Sequence, residues 1–291
     1  MSLALNIVGA GHVGRTLGRL FTQSGALEVR GVLNRSLASG HAAVEFIGAG
    51  TPVADAGALP RADITLVTTG DGAIAEATHR LVAAGRVARG ACVAHCSGAL
   101  SSGVLREARA AGAHVASVHP MLTFPDSARA AERFAGTYCG AEGDPLALEV
   151  LLPAFTAIGA IPFAIDPERK AAYHAGAVLA CGSLVTLIEA GLRCFAAAGV
   201  ARDVALRALA PLVDATIAGA LRDGPAAALT GPIARGDDAV VEQHLLALES
   251  IDPTLAPIYR SVGVLALELA EQAGRGDGAG HAKIRARLGV A

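Results

Sequence analysis

Lys170 and His174 are the residues of this chain best suited to move a proton. They lie four apart, so on a helix they share one face. Hydride delivered to a carbonyl leaves an alkoxide, which needs a proton and a nearby positive charge. A lysine beside a histidine meets both needs. The same pair would also suit a solvated lysine at a helix start and a core histidine. A source of hydride is implied near the N-terminus, where Gly9-Ala10-Gly11-His12-Val13-Gly14 reads G-x-G-x-x-G. The first glycine permits a tight turn, the second lets a pyrophosphate approach the backbone, and the third lets a helix pack on a strand. His12 and Val13 open that helix, whose free N–H groups favour phosphate. About twenty residues further on, an NAD site carries an acid for the ribose 2′-hydroxyl. Asn34-Arg35-Ser36 stands there instead. Those residues offer donors and a positive charge to a 2′-phosphate, so NADP(H) is the expected cofactor.

Four further groups could meet a ligand. Thr69 and Asp71, in Thr68-Thr69-Gly70-Asp71, should run beside the adenine ribose or the pyrophosphate. Ser97, before Gly98, could bond a substrate carboxylate or the nicotinamide amide, or simply cap a helix. His119, held extended by Pro120, could donate to substrate or cofactor, or bond a carbonyl from a partly buried position. In Gly231-Pro232-Ile233-Ala234-Arg235-Gly236-Asp237, Asp237 can cap the next helix. Arg235 is then a free cation that could grip a carboxylate in a bidentate fork, or face solvent.

The elements that must position these residues alternate through the first half. Strands are expected at 3–8, 29–33, 62–69, 91–96 and 115–118, with a short one at Pro52-Val53 and two later ones near 136–139 and 161–165. Helices lie between, the last over 145–158. This alternation predicts a mostly parallel, doubly wound α/β sheet. At Asp166-Pro167-Glu168 the character changes to a helix start. From there only helices are expected, at about 168–198, 202–222, 238–250 and 254–273. A glycine-rich, mobile connection over 275–280 then leads to a short last helix. The expected domains are therefore 1–165, a Rossmann unit, and 166–291, an all-α unit for substrate and dimerisation. The first helix of that unit is apolar nearly all round. It should form the hydrophobic axis of the domain or of a homodimer interface.

Composition narrows the class. Hydrophobic residues make up 53% of 291 and charged ones 17%, so a large core is expected. Net charge is −2 with 3% aromatics, which removes the basic runs and stacking platforms of nucleic-acid binders. The five cysteines form no C-x-x-C pair and read as small buried residues, with no metal site. The N-terminus lacks the basic region of a signal peptide. The apolar stretch 175–188 is short for a bilayer span. A cytoplasmic protein with no membrane partner is expected.

Taken together, the chain resembles the 6-phosphogluconate dehydrogenase-like superfamily, which includes ketopantoate, pyrroline-5-carboxylate and β-hydroxyacid enzymes. It is more closely similar to bacterial Rossmann-like proteins with a C-terminal helical domain of unknown function. His95-Cys96-Ser97-Gly98-Ala99-Leu100, Ser117-Val118-His119-Pro120, Lys170 with Tyr173-His174-Ala175, and residues 231–237 carry that resemblance. It implies a catalytic lysine on the linking helix, matched by Lys170, with His174 where the superfamily has asparagine. It implies a substrate turn at Ser97-Gly98. The expected function is an NADPH-dependent reductase of a small oxo acid, with 2-dehydropantoate the most specific candidate. The alternatives are a cyclic-imine reductase and a non-catalytic NADPH-responsive binding protein.

Overall fold

Leu3 to Val8 is apolar on both faces, and in the computed structural model, which describes residues 2–289, its last five residues are buried. That burial marks a central parallel strand with helices on each side. It is β1 (Leu3–Val8), followed by β2 (Leu27–Leu33), β3 (Thr51–Val53), β4 (Ile64–Val67), β5 (Cys92–His95), β6 (His114–Pro120), β7 (Tyr138–Gly143) and β8 (Ile161–Ala164). The sheet order is β3-β2-β1-β4-β5-β6-β7-β8. The neighbours run parallel except β6 and β7, which are antiparallel. The expected doubly wound Rossmann sheet is thus present, with one reversal near its end.

Helices α1 (His12–Ser24), α2 (Leu37–Ile47), α3 (Ile74–Ala83), α4 (Arg106–Ala110), α5 (Ser127–Arg133), α6 (Pro145–Ala157) and α7 (Lys170–Ala177) complete this part. The backbone N–H of Gly25, at φ 68°, closes α1, and Ser36 caps α2 through the N–H of Ser39. Two cores flank the sheet. One gathers Leu5, Ile7, Leu17, Phe21, Phe134 and Phe155, and the other Val67, Leu81, Val93, Leu105 and Val115. Phe21 meets Phe155 edge to face at 5.4 Å.

The chain divides into two compact units, Met1–Ala180 and Cys181–Ala291. The division expected after Ile165 would cut α7 away from the sheet residues it touches. The second unit is helical: α8 (Ser183–Ala197), α9 (Arg202–Asp223), α10 (Pro225–Ala228), α11 (Pro232–Arg235), α12 (Asp238–Ile251), α13 (Leu255–Gln272) and α14 (Gly278–Leu288). Its core is built by Ile233, Val241, Leu245, Leu267, Ile284 and Leu288, from α11 to α14.

Several expectations need correction. His119 and Pro120 lie within β6, not after it, because the antiparallel partner β7 extends the pairing to Pro120–Cys139. No helix starts at Ser97; a 3-10 turn begins at Ser102 and α4 at Arg106. The strand expected near 136–139 runs from Tyr138 to Gly143. The 275–280 connection is shorter than expected, since Asp277 caps α14 through the Ala279 N–H. The apolar linking helix is not the axis of the second unit: Leu192 is the buried residue of α8. The helix expected at 168–198 is present as a helical run, Pro167–Ala197, that passes through a π-turn at Val178–Gly182, and the apolar stretch within it is longer than the 175–188 judged short for a span. That run and α9 are long and apolar enough to cross a bilayer, by length and composition.

Candidate functional site

Each motif glycine has its own reason. Gly9 sits at φ +85°, and a Cβ there would lie 2.8 Å from the Thr69 nitrogen. Around Gly11 the nearest heavy atom is 4.0 Å away, so this glycine opens onto free space. A Cβ on Gly14 would strike the Thr68 hydroxyl and stand 3.2 Å from Ile7. Thr68 Oγ1 donates to the Gly9 carbonyl at 3.0 Å and ties the turn to β4. Gly11 is the N-cap of α1 without a side-chain cap, and no acid stands in the first turn. The helix start therefore keeps its N–H groups for an anion. Thr69 Oγ1 is buried without a partner. An orphaned donor beside a glycine cradle fits a dinucleotide phosphate or ribose.

The residues expected to read the 2′-phosphate separate into two roles. Asn34 is committed to the fold: Oδ1 accepts the Ala10 N–H at 2.6 Å and Nδ2 donates to the Ser39 carbonyl at 2.9 Å. Ser36 is the cap of α2, accepting the Ser39 N–H at 3.2 Å. Arg35 alone is exposed with no ion-pair partner among the described residues. It lines a recess of about 370 Å³ with Gly9, Asn34, Thr69 and Arg80. Arg80 is held by Glu76 at 2.8 Å. Asp71 is exposed at the start of a 3-10 turn. His12 is drawn aside to Ser127 Oγ at 3.2 Å, while Val13 packs on the core.

The second part of the site lies on one face of β6, β7 and β8. The register pairs Ser117 with Glu142 and His119 with Gly140, and Gly140 with Phe163. Because side chains alternate along strands, these residues share a face, and α7 lays Lys170, Tyr173 and His174 against it. Lys170 Nζ donates to Ser117 Oγ and to Glu142 Oε1, the latter at 3.1 Å. Glu142 also accepts the Ser102 N–H at 2.8 Å and its hydroxyl at 2.7 Å. Lys170 is 1% and Glu142 3% exposed. Burial lowers the Lys170 pKa, and the carboxylate partly opposes that. Lys170 is thus an internal ion-pair partner rather than a lysine facing open space.

Beside it, His95 Nδ1 accepts the Ser97 N–H at 3.1 Å, which leaves Nε2 to donate to the Ser101 carbonyl at 3.2 Å. Burial, then the Lys170 charge, lower its pKa to about 4. Ser97 Oγ accepts the N–H groups of Ala99 and Leu100 at 3.2 and 3.0 Å, which closes a local turn rather than capping a helix.

Nearer the carboxyl end of β6, His119 Nδ1 meets the Tyr173 hydroxyl at 2.8 Å. A Cβ on Gly98 would lie 2.5 Å from His174 and 2.7 Å from His119 Nε2, so only glycine lets both rings approach. Burial, then Lys170 and His174, lower the His119 pKa to about 4. Arg235 belongs to the second unit. It pairs with Asp237 at 2.8 Å, so it is not the free cation expected, and Asp237 makes no side-chain cap to α12.

Tyr173, Glu142 and Ser117 carry much of this geometry and are not among the expected site residues. Tyr173 had a sequence signal, three positions past Lys170 on the same helix. Glu142 had a weaker one, a lone acid at the end of an otherwise apolar strand. Among the described residues, no group of three or more His, Cys, Asp or Glu is placed to hold a metal.

Comparison with known proteins divides the chain differently, within the sheet-bearing unit. Residues 1–120 match the Rossmann-like domain, and residues 137–265 match a domain of unknown function, DUF2520. No curated protein matches the chain. Protein TM1727 from Thermotoga maritima is 26% identical with a TM-score of 0.73, covering 93% of this chain and 100% of its own. Protein BF3122 from Bacteroides fragilis, provisionally described as an NADP oxidoreductase, is 21% identical with a TM-score of 0.72, covering 92% and 98%. An imine reductase from Myxococcus stipitatus in complex with NADP+ is 18% identical with a TM-score of 0.64, covering 97% and 99%. The chain thus matches a Rossmann-like model and a DUF2520 model in succession, in a fold shared with these structures.

Proposed function

We propose that this protein is an NADP(H)-dependent reductase of a small compound with a C=O or C=N bond. One observation carries the reading. A glycine cradle with an unpartnered Thr69 hydroxyl and a free Arg35 opens on the sheet that also gathers Gly98, His119, Tyr173 and His174. The likeness to the NADP+-bound imine reductase supports it. Bound NADPH supplies the hydride. The start of α1 holds the pyrophosphate, Thr69 and Asp71 flank it, and Arg35 takes the 2′-phosphate. His119 and His174 border the space above Gly98 and orient the group to be reduced. Lys170 and Glu142 fix α7 against the sheet.

An imine or uncharged ketone fits this site better than an oxo acid such as 2-dehydropantoate. A carboxylate substrate needs an uncompensated cation, and Lys170 is offset by Glu142 while Arg235 is held by Asp237. The deciding experiment follows NADPH oxidation by the purified protein against imines, neutral ketones, 2-oxo acids including 2-dehydropantoate, and 3-oxo acids. Turnover is expected with the neutral compounds. Tight NADPH binding without turnover of any of them would make the protein a cofactor-responsive binder instead.

We further infer a homodimer formed through the helical unit. Leu179, Val185, Leu212 and Leu221 are 71%, 68%, 62% and 84% exposed. A second copy accounts for that surface better than a bilayer does, because α9 carries Arg202, Asp203, Arg207, Asp214, Arg222 and Asp223.

A further inference from the structure

We propose that Tyr173 and His119 form a proton relay, with His119 Nε2–H as the donor to the reduced group and Tyr173 as the residue that fixes the imidazole and restores its proton. This rests on the reductase reading above. The geometry has a direction. The Tyr173 hydroxyl lies against Gly140, where a Cβ would come within 2.7 Å of it, so the hydroxyl is turned toward the sheet. From there it reaches His119 Nδ1 at 2.8 Å. The other nitrogen, Nε2, packs against Gly98, where a Cβ would come within 2.7 Å of it, and takes no part in the bond to Tyr173. A phenol that donates to Nδ1 forces the remaining imidazole proton onto Nε2, because a neutral imidazole carries only one N–H. The ring is kept neutral by burial, with a pKa of about 4. Burial likewise raises Tyr173 to about 12, so it holds its proton, while the Gly140 backbone favours the ionised oxygen. The phenol ring is fixed by Phe163 at 6.0 Å and by an edge contact with His119 at 5.7 Å.

The step balances. With NADPH bound, the electrophilic carbon would accept its hydride, and the electron pair of the double bond would move to the oxygen or nitrogen. That atom takes the proton from Nε2. Nδ1 takes the phenol proton, and the tyrosinate regains a proton from water. Nothing in the relay uses Lys170, whose ammonium stays with Glu142.

The test uses the full-length protein and Tyr173→Phe, which keeps the ring and removes the hydroxyl. In wild type, 15N spectra assigned with His119→Gln should show Nδ1 unprotonated and Nε2 protonated. Tyr173→Phe should mix the two tautomers. It should also lower kcat by about 10²-fold with NADPH affinity and KM unchanged, in keeping with the usual worth of a positioned acid. Adding it to His119→Gln should cost nothing more, as expected of two groups in one relay. A proton on Nδ1 in wild type, or wild-type kcat in Tyr173→Phe, would overturn the relay. Absence of turnover by wild type on every substrate would instead remove the reductase reading, and the 15N signals would still decide the tautomer.

Discussion

At the scale of single residues, the proposed reading concentrates cofactor choice on Arg35. Asn34 and Ser36 spend their polar atoms on the backbone of the turn and of α2. A charge-assisted hydrogen bond contributes about 1.5–3 kcal/mol, so Arg35→Ala should weaken NADPH about 10- to 150-fold and leave NADH nearly unchanged. Calorimetric titration with both cofactors checks this, and an equal loss for both would refute it. His95 and His119 set a second expectation. Both have folded-state pKa values of about 4, against about 6.5 in an unfolded chain. Below pH 6.5 the unfolded chain binds protons that the folded one refuses, so stability falls as pH drops from about 6.5 toward 4. Urea unfolding across that range should show the loss, and His95→Gln should flatten it. The glycine motif and Arg35 were legible in the sequence because their spacing is fixed by local geometry. Glu142 and Ser117 were not, because only β6–β7 pairing brings them to Lys170.

At the scale of elements, α7 is joined to the sheet by a buried ion pair. Removing one partner of such a pair costs about 3–5 kcal/mol, since the other charge is left unmatched, whereas replacing both by apolar groups can be near neutral. Lys170→Met alone should therefore destabilise the first unit strongly, and Lys170→Met with Glu142→Leu should recover much of the loss. Denaturant midpoints of these two variants and of Glu142→Leu alone read this directly. Additive losses would show that the two residues act separately. The order of strands and helices followed from apolar runs and glycine turns. What escaped was the reversal between β6 and β7, since a short buried strand has no sequence mark of its direction. The π-turn at Val178–Gly182 escaped too, because an apolar helix reads the same with or without one extra residue per turn.

At the scale of the whole molecule, three separate cores, two against the sheet and one in the helical unit, and a large bare apolar surface set the behaviour. Light scattering at micromolar concentration should find a dimer, and Leu179→Glu with Leu212→Glu should shift it toward monomer without loss of NADPH affinity. A monomeric wild type would contradict that inference. The sequence placed the axis of the helical unit on the apolar 168–198 run, whereas α11 to α14 build its core, because the exposure of α8 and α9 depends on what the fold leaves uncovered. That exposure has a consequence for the life of a newly made chain. The sheet leaves the ribosome first, and the apolar run 171–190 follows with much of its length exposed. Before the dimer inferred above can form, this stretch is open to chaperones and to aggregation. The yield of sound protein should then depend on how quickly nascent copies meet, as well as on how well each one folds.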